Sequence, residues 1–185
     1  MLNDVYDDTR DRMQKAIESL DHDFKRLRTG RASVALVDGI KIEYYGTSTP
    51  LNQLATLTIP EPRTIMIQPW DSSVVGEVEK AILKSELGLT PMNDGKIIRI
   101  NIPPLTEERR RELVKVIKKK AEDTKVAVRN IRRDANEMVK DLKKEKEISE
   151  DEQFRAQEEI QKITDDFIKN IDAAYEAKEI EIMEI

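Results

Sequence analysis

The chain has 185 residues, 37% of them charged, 38% hydrophobic and only 4% aromatic, and it contains no cysteine. This excludes disulfides, thiolate metal sites and cysteine nucleophiles, leaves little aromatic surface for base stacking, and points to long helices with two wet sides. The net charge of −5 excludes indiscriminate nucleic-acid binding, but it is unevenly spread: residues 105–144 carry 14 basic and 8 acidic groups, residues 145–185 carry 5 and 14.

In chain order, residues 2–28 place Val5, Tyr6, Met13, Ala16, Ile17, Leu20, Phe24 and Leu27 on a 3.6-residue period. The spacing predicts a helix, with Gly30 standing where a helix C-cap would. The Met1–Asp8 stretch is acidic and mixed, unlike a secretion signal. No apolar run approaches the roughly 20 residues of a membrane span. A soluble, cytoplasmic protein with no membrane partner is therefore expected.

The next segment differs in character. All seven prolines fall in residues 50–104. Ile40, Ile42 and Tyr44 alternate with Lys41 and Glu43, and Tyr45-Gly46 reads as a turn into a second short strand. Thr56–Ile59, Thr64–Gln68 and Lys96–Ile102 also read as strands. Val74, Val75, Val78, Ala81 and Ile82 suit one short helix, ended by Gly88. Trp70 is expected in this small domain's core, with one ring of Tyr44 and Tyr45 in and the other out.

Beyond Pro103-Pro104-Leu105, Thr106 is a plausible N-cap, with Glu107 and Glu108 in the dipole-favoured first turn. From there to Lys146 the chain has no glycine or proline, and Thr124, Val128, Ile131, Ala135, Met138 and Leu142 mark one face. Such a helix would run for roughly 60 Å. Ser149 and Glu152 have the spacing of a capping box, and Phe154, Gln157, Ile160, Thr164, Phe167, Ile171, Ala174 and Lys178 continue a helical period. Three amphipathic helices cannot each bury a stripe alone, so residues 1–30 and 105–185 are expected to form one three-helix bundle. An inserted β/α/β domain, 31–104, would hang from it on hinges near 29–31 and 102–105, giving an α+β, elongated and bent protein.

Traces of catalysis are few. There is no GxGxxG and no GxxxxGK[ST] cradle. The single histidine, His22, lies between Asp21 and Asp23 on the first helix, where neighbours point about 100° apart, and reads as a solvated side chain. No catalytic residue, metal ligand or cofactor is expected. The middle helix is more informative. Lys118, Lys125, Arg129, Arg132 and Asn136 form a stripe one residue offset from the apolar one, interrupted by Glu122 and flanked by Arg133. Arg109, Arg110 and Arg111 lie near one connector, and Lys25, Arg26, Arg28 and Arg31 near the other. Arginine's planar fork suits paired phosphate oxygens. The competing reading pairs this stripe with the acidic last helix inside the bundle.

Arg28-Thr29-Gly30-Arg31-Ala32-Ser33, Glu43-Tyr44-Tyr45-Gly46-Thr47, Pro103-Pro104-Leu105-Thr106-Glu107-Glu108-Arg109-Arg110, Ala127-Val128-Arg129-Asn130-Ile131-Arg132-Arg133-Asp134-Ala135-Asn136 and Lys146-Glu147-Ile148-Ser149-Glu150-Asp151 closely resemble the bacterial ribosome recycling factor family, from end to end. The resemblance implies an L-shaped monomer with the bundle as its long arm. It also implies a function: with elongation factor G and GTP, the factor splits post-termination ribosomes from the vacated A site, reaching toward the P site. Arg28, Arg31, Arg110, Arg129, Arg132 and Arg133 match the family's contacts to large-subunit rRNA, while Gly30, Arg31, Pro103 and Pro104 are the expected hinge because both connectors are short and contain Gly or Pro. The alternative from another class is a helical protein-binding scaffold or chaperone whose basic stripe pairs within the bundle.

Overall fold

The computed structural model describes residues 1–184 and is α+β. Only Ile185 of the expected bundle lies outside the described residues. The chain forms two compact units: Met1–Phe24 with Arg110–Glu184, and Lys25–Arg109.

The first unit contains three helices, α1 (Leu2–Arg26), α3 (Glu107–Lys144) and α4 (Glu150–Met183). The first few residues of α3 and the last two of α1 belong to the second unit. The core stripe of α3 is Leu113, Ile117, Ala121, Val128, Ile131, Ala135 and Val139. Met138, expected to be inside, is 43% exposed, whereas Val139 is fully buried. A strict alternation of three and four follows a 3.5-residue period, and a straight helix at 3.6 drifts about 20° per heptad away from it. On α4 the buried positions are Ala156, Ile160, Ile163, Thr164, Ile171 and Ile182. Phe154, also expected inside, is 63% exposed, because it stands two residues before Ala156 and so on the far side of the helix. Buried hydroxyls are satisfied locally: Thr9 donates to the Val5 carbonyl at 2.6 Å and Thr164 to that of Ile160 at 2.7 Å.

Both long helices begin on the caps their sequences announce. Thr106 Oγ1 accepts from the Arg109 amide at 3.2 Å. Ser149 Oγ accepts from the Glu152 amide, and Glu152 in turn accepts from the Ser149 amide at 2.7 Å, completing a capping box. These bonds from Ser149 hold the Glu152 carboxyl below its usual range. Helix α1 ends at Arg26, so Gly30, four residues past its end, is too far on to be its C-cap. Its φ of +80° serves the following loop instead.

The second unit contains α2 (Val75–Lys84) and six strands: β1 (Lys41–Tyr44), β2 (Thr47–Pro50), β3 (Ala55–Glu61), β4 (Thr64–Pro69), β5 (Pro91–Asn93) and β6 (Ile98–Asn101). Strands β1 and β2 form a hairpin across Tyr45-Gly46, both at positive φ, with Tyr45 84% exposed and Tyr44 tucked against the core. The other four form an antiparallel sheet in the order β3-β4-β6-β5. Its inner face presents Ile65, Ile67, Ile98 and Ile100 to Val78 and Ile82 of α2. Strand β5, only three residues long and opened by Pro91, carries no strand signal of its own and exists because β6 offers it an edge. Helix α2 stops at Lys84, with Ser85 as its C-cap, before Gly88 is reached. Trp70 is 68% exposed rather than in the core, with its indole Nε1 donating to Thr56 Oγ1 at 2.9 Å. The two ends of this unit meet one turn: the Ala32 amide donates to the Pro62 carbonyl at 2.8 Å and the Ile102 amide to that of Arg63 at 2.7 Å.

Two outcomes are expected from thermal and chemical melts. Ile160→Ala costs about 2–5 kcal/mol, whereas Phe154→Ala stays within about 0.5 kcal/mol. Equal losses would contradict the assigned faces of α4. Because Glu152 is depressed in the fold, its contribution is present above the ordinary glutamate range and is lost as pH falls through the lowered value. Melts across pH 3–7 should therefore show a shallower acid slope for Ser149→Ala than for the unaltered protein, and an unchanged slope would remove the capping box from that role.

Candidate nucleic-acid interface

Two flanks and a back can be distinguished on α3. One flank meets α1, where Arg12 pairs with Asp134 at 2.6 Å and Lys120 with Asp23 at 3.2 Å. The other meets α4, where Lys125 pairs with Asp172 at 2.5 Å, Lys143 with Glu150 at 3.8 Å, and Arg132 Nη1 donates to Gln161 Oε1 at 3.2 Å. Gln161 is itself held by Asp165 at 2.8 Å. Lys125 also pairs with Glu122, the residue that interrupts the stripe, at 3.3 Å. The bond from Asp172, then that from Glu122, outweigh desolvation and raise the Lys125 ammonium above its ordinary value.

The stripe expected from spacing thus divides by role. Lys125 and Arg132 are half-buried and engaged with α4, as the internal-pairing reading requires. Asn136 is half-buried too. Arg129 and Arg133 are exposed and make no ion pair among the described residues, so internal pairing does not account for them. Lys115, Lys118 and Lys119 are exposed in the same way. Sequence reasoning had passed over Lys115 and Lys119, although counting back from Arg133 in helical turns reaches their side of α3. From Lys115 to Arg133 these cations span about 27 Å of helix axis. The back of α3 is therefore predominantly cationic on a rod that holds its own shape, with the exposed Glu122 and Val126 among the lysines and arginines.

The remaining expected positions are placed as follows. Arg110 belongs to the bundle unit and is half-buried, on the same line as Leu113 and Ile117 rather than on the basic back. Arg28, Gly30, Arg31, Pro103 and Pro104 belong to the second unit. Arg28 is exposed, with Nη2 donating weakly to the Glu86 carbonyl at 3.4 Å, and Arg31 is half-buried. Gly30 is buried, while both prolines are exposed. His22 is exposed on α1. Among the described residues no cluster of three or more His, Cys, Asp or Glu side chains could hold a metal, and no helix is long and apolar enough to cross a membrane.

Comparison with known proteins places this geometry in context. The family model described as ribosome recycling factor matches residues 20–183. The chain is 78% identical to the ribosome-recycling factor of Syntrophobacter fumaroxidans and 58% identical to that of Desulforapulum autotrophicum, each over the whole of both chains. It is similar to a solution structure of ribosome recycling factor, with a TM-score of 0.80 at 48% identity, covering 100% of this chain and 98% of the other. It is also similar, with a TM-score of 0.69 at 52% identity and 99% of each chain covered, to the T. thermophilus ribosome recycling factor described with E. coli elongation factor G on the E. coli post-termination complex.

The division of α3 has a direct consequence for stability. Lys125→Ala should lower the melting temperature, since it strips Asp172 and Glu122 of their shared partner, whereas Arg129→Ala and Arg133→Ala should leave it within about a degree or two. Equal destabilisation by all three would mean that the back of α3 is structural.

Proposed function

Because the chain belongs to the ribosome recycling factor family, we propose that it lays the back of α3 on the RNA of a post-termination ribosome and, with elongation factor G and GTP, drives the subunits apart. The observation that carries the reading is the Arg129 and Arg133 pair: two exposed guanidinium groups one helical turn apart, on a 38-residue helix, with no partner among the described residues. Fork-shaped donors held at fixed spacing match phosphate oxygens, and the helix cannot bend away from the load. Arg132 adds its outer nitrogens from the α4 flank. Arg28, Arg31 and Arg110 complete the rRNA-binding set near the connectors.

The chain has no phosphate-cradling loop. It acts without catalysis of its own, in the cytoplasm where ribosomes work, and the GTPase chemistry belongs to the elongation factor. Its part is mechanical. The bundle anchors, and the 31–104 insert receives the push and turns about Gly30 and Arg31 on one connector and Pro103 and Pro104 on the other. Gly30 supplies a backbone conformation closed to most residues, and the two prolines stiffen the return strand. The scaffold alternative, in which all the basic residues are neutralised internally, is not supported at Arg129 or Arg133.

Two measurements test this reading. Replacing Arg129 and Arg133 together by alanine should weaken ribosome binding by about 1.5–3 kcal/mol per lost contact. It should also flatten the salt dependence by roughly 0.7–0.9 in log–log slope per phosphate released. Binding and salt slope equal to the unaltered protein would remove the back of α3 from the interface. Separately, two extra glycines in each connector, after Gly30 and after Pro104, should leave ribosome binding intact while abolishing factor-dependent splitting. Splitting at the original rate would rule out force transmission through the hinge.

A further inference from the structure

Lys125, Arg132 and Lys143 of α3 all reach α4 along one flank, but the partners they meet are not alike. Lys125 meets Asp172 and Lys143 meets Glu150, each in an ion pair. Arg132, between them, meets an amide, with Nη1 donating to Gln161 Oε1 at 3.2 Å. An amide oxygen holds a guanidinium and leaves its charge intact, whereas a carboxylate can take two parallel bonds and cancel it. The amide is itself fixed. Gln161 Nε2 donates to Asp165 Oδ1 at 2.8 Å, one turn further along α4, so its nitrogen is turned to Asp165 and its oxygen to Arg132. The other charged side chains on this stretch of α4 are Glu158 and Lys162, both exposed. Neither Asp165 nor Glu158 makes an ion pair with Arg132 among the described residues.

We propose that Gln161 and Asp165 are positioning residues for Arg132: the Asp165 carboxylate fixes the Gln161 amide, and the amide holds the guanidinium ready for an RNA phosphate without neutralising it. The proposal rests on the recycling reading above and deepens it. A free arginine side chain must be ordered at the moment of binding, and that ordering costs affinity. A carboxylate partner on α4 would order it beforehand, as Asp172 orders Lys125, but would spend the charge that the phosphate needs. A neutral amide orders it and spends only one bond. The neighbours of Arg132 select the ligand. Arg129, one turn before it, and Arg133, next to it, are exposed cations, so a group that meets Arg132 also meets positive charge on both sides. A run of phosphates suits that row better than a single carboxylate. Asp165 acts in two opposed ways. Its field repels an approaching polyanion, while its bond to Gln161 orders the arginine that attracts one. The opposition in sign makes the two roles separable.

The test uses the full chain and post-termination ribosomes, reading binding over a range of salt concentrations together with the melting temperature. Gln161→Leu should weaken binding roughly two- to tenfold, the loss expected from one unordered side chain, with the salt slope unchanged. Gln161→Glu should weaken it further and lower the log–log slope by roughly 0.7–0.9, because Arg132 then pairs internally. Asp165→Ala should also weaken binding roughly two- to tenfold, although loss of a negative charge alone would strengthen it. Asp165→Asn keeps an oxygen for the Gln161 amide and should recover most of that loss. In an Arg132→Ala background, Gln161→Leu and Asp165→Ala should cause no further weakening. Melting temperatures should stay within about a degree or two of the unaltered protein's. Unchanged or tighter binding by Asp165→Ala, or unchanged binding by Gln161→Leu, overturns the proposal and leaves the recycling reading standing. Equal weakening in both backgrounds overturns it by putting Gln161 and Asp165 on the RNA themselves, and a clear fall in melting temperature overturns it in favour of a structural role. Should the unaltered chain fail to bind ribosomes at all, the recycling reading falls and this proposal with it.

Discussion

A 38-residue helix with an apolar stripe from Leu113 to Val139 cannot stand in water alone, and most of the molecule follows from covering it. Cover comes from α1 and α4, one from each end of the chain. Because α1 is drawn from the N-terminal side of the insert and α4 from beyond α3, the bundle is discontinuous in sequence, and residues 25–109 fold as a unit of their own. Two neighbours on a three-sided rod leave the third side wet. That side is the back of α3.

Charge follows the same geometry. On the flanks, cations are neutralised across helix boundaries: Lys125 by Asp172, Asp134 by Arg12, Asp23 by Lys120. On the back, no facing helix exists to neutralise anything. The acidic excess of residues 145–185 lies on α4, with Glu158, Asp165, Asp166 and Glu176 exposed. A polyanion approaching the bundle therefore meets repulsion on one surface and attraction on another. The field orients the approach before any contact forms, and its reach shortens as salt is added. An acidic protein can in this way attract a polyanion to one face only.

The elements that a single stretch of sequence determines were legible: three helices, the capping box at Ser149 and Glu152, the Thr106 cap and the longer strands of the insert. What escaped depended on something outside the stretch. The place of Val139 instead of Met138 in the core comes from the helix's true pitch, visible only over several turns. Phe154 opened the row that runs through Gln157 to Ile160, yet Ala156, one turn before Ile160, is the residue that faces the core. Trp70 was placed inside because it follows Pro69 at a strand end, although strand alternation from Met66 through Gln68 puts it on the open face. Strand β5 needs the edge of β6 to exist at all. On α3, spacing alone picked out Arg129, with Arg133 on its flank. It could not separate them from Lys125 and Arg132, whose partners Asp172 and Gln161 sit on another helix in a register no local pattern encodes.

The turn at Pro62 and Arg63 has a consequence for how the bundle assembles. It accepts amide bonds from Ala32 and Ile102, so the folded insert holds its own two ends side by side. In an unfolded chain, bringing α1 to α3 means closing a loop that contains the whole of Lys25–Arg109. Once the insert has folded, the same closure spans only the few residues outside those two bonds. Each halving of loop length recovers about 0.6 kcal/mol of chain entropy, so about three halvings recover roughly 2 kcal/mol. The folded insert is thus a clasp for the bundle's most distant partners in sequence, and it turns a long-range helix pairing into a nearly local one.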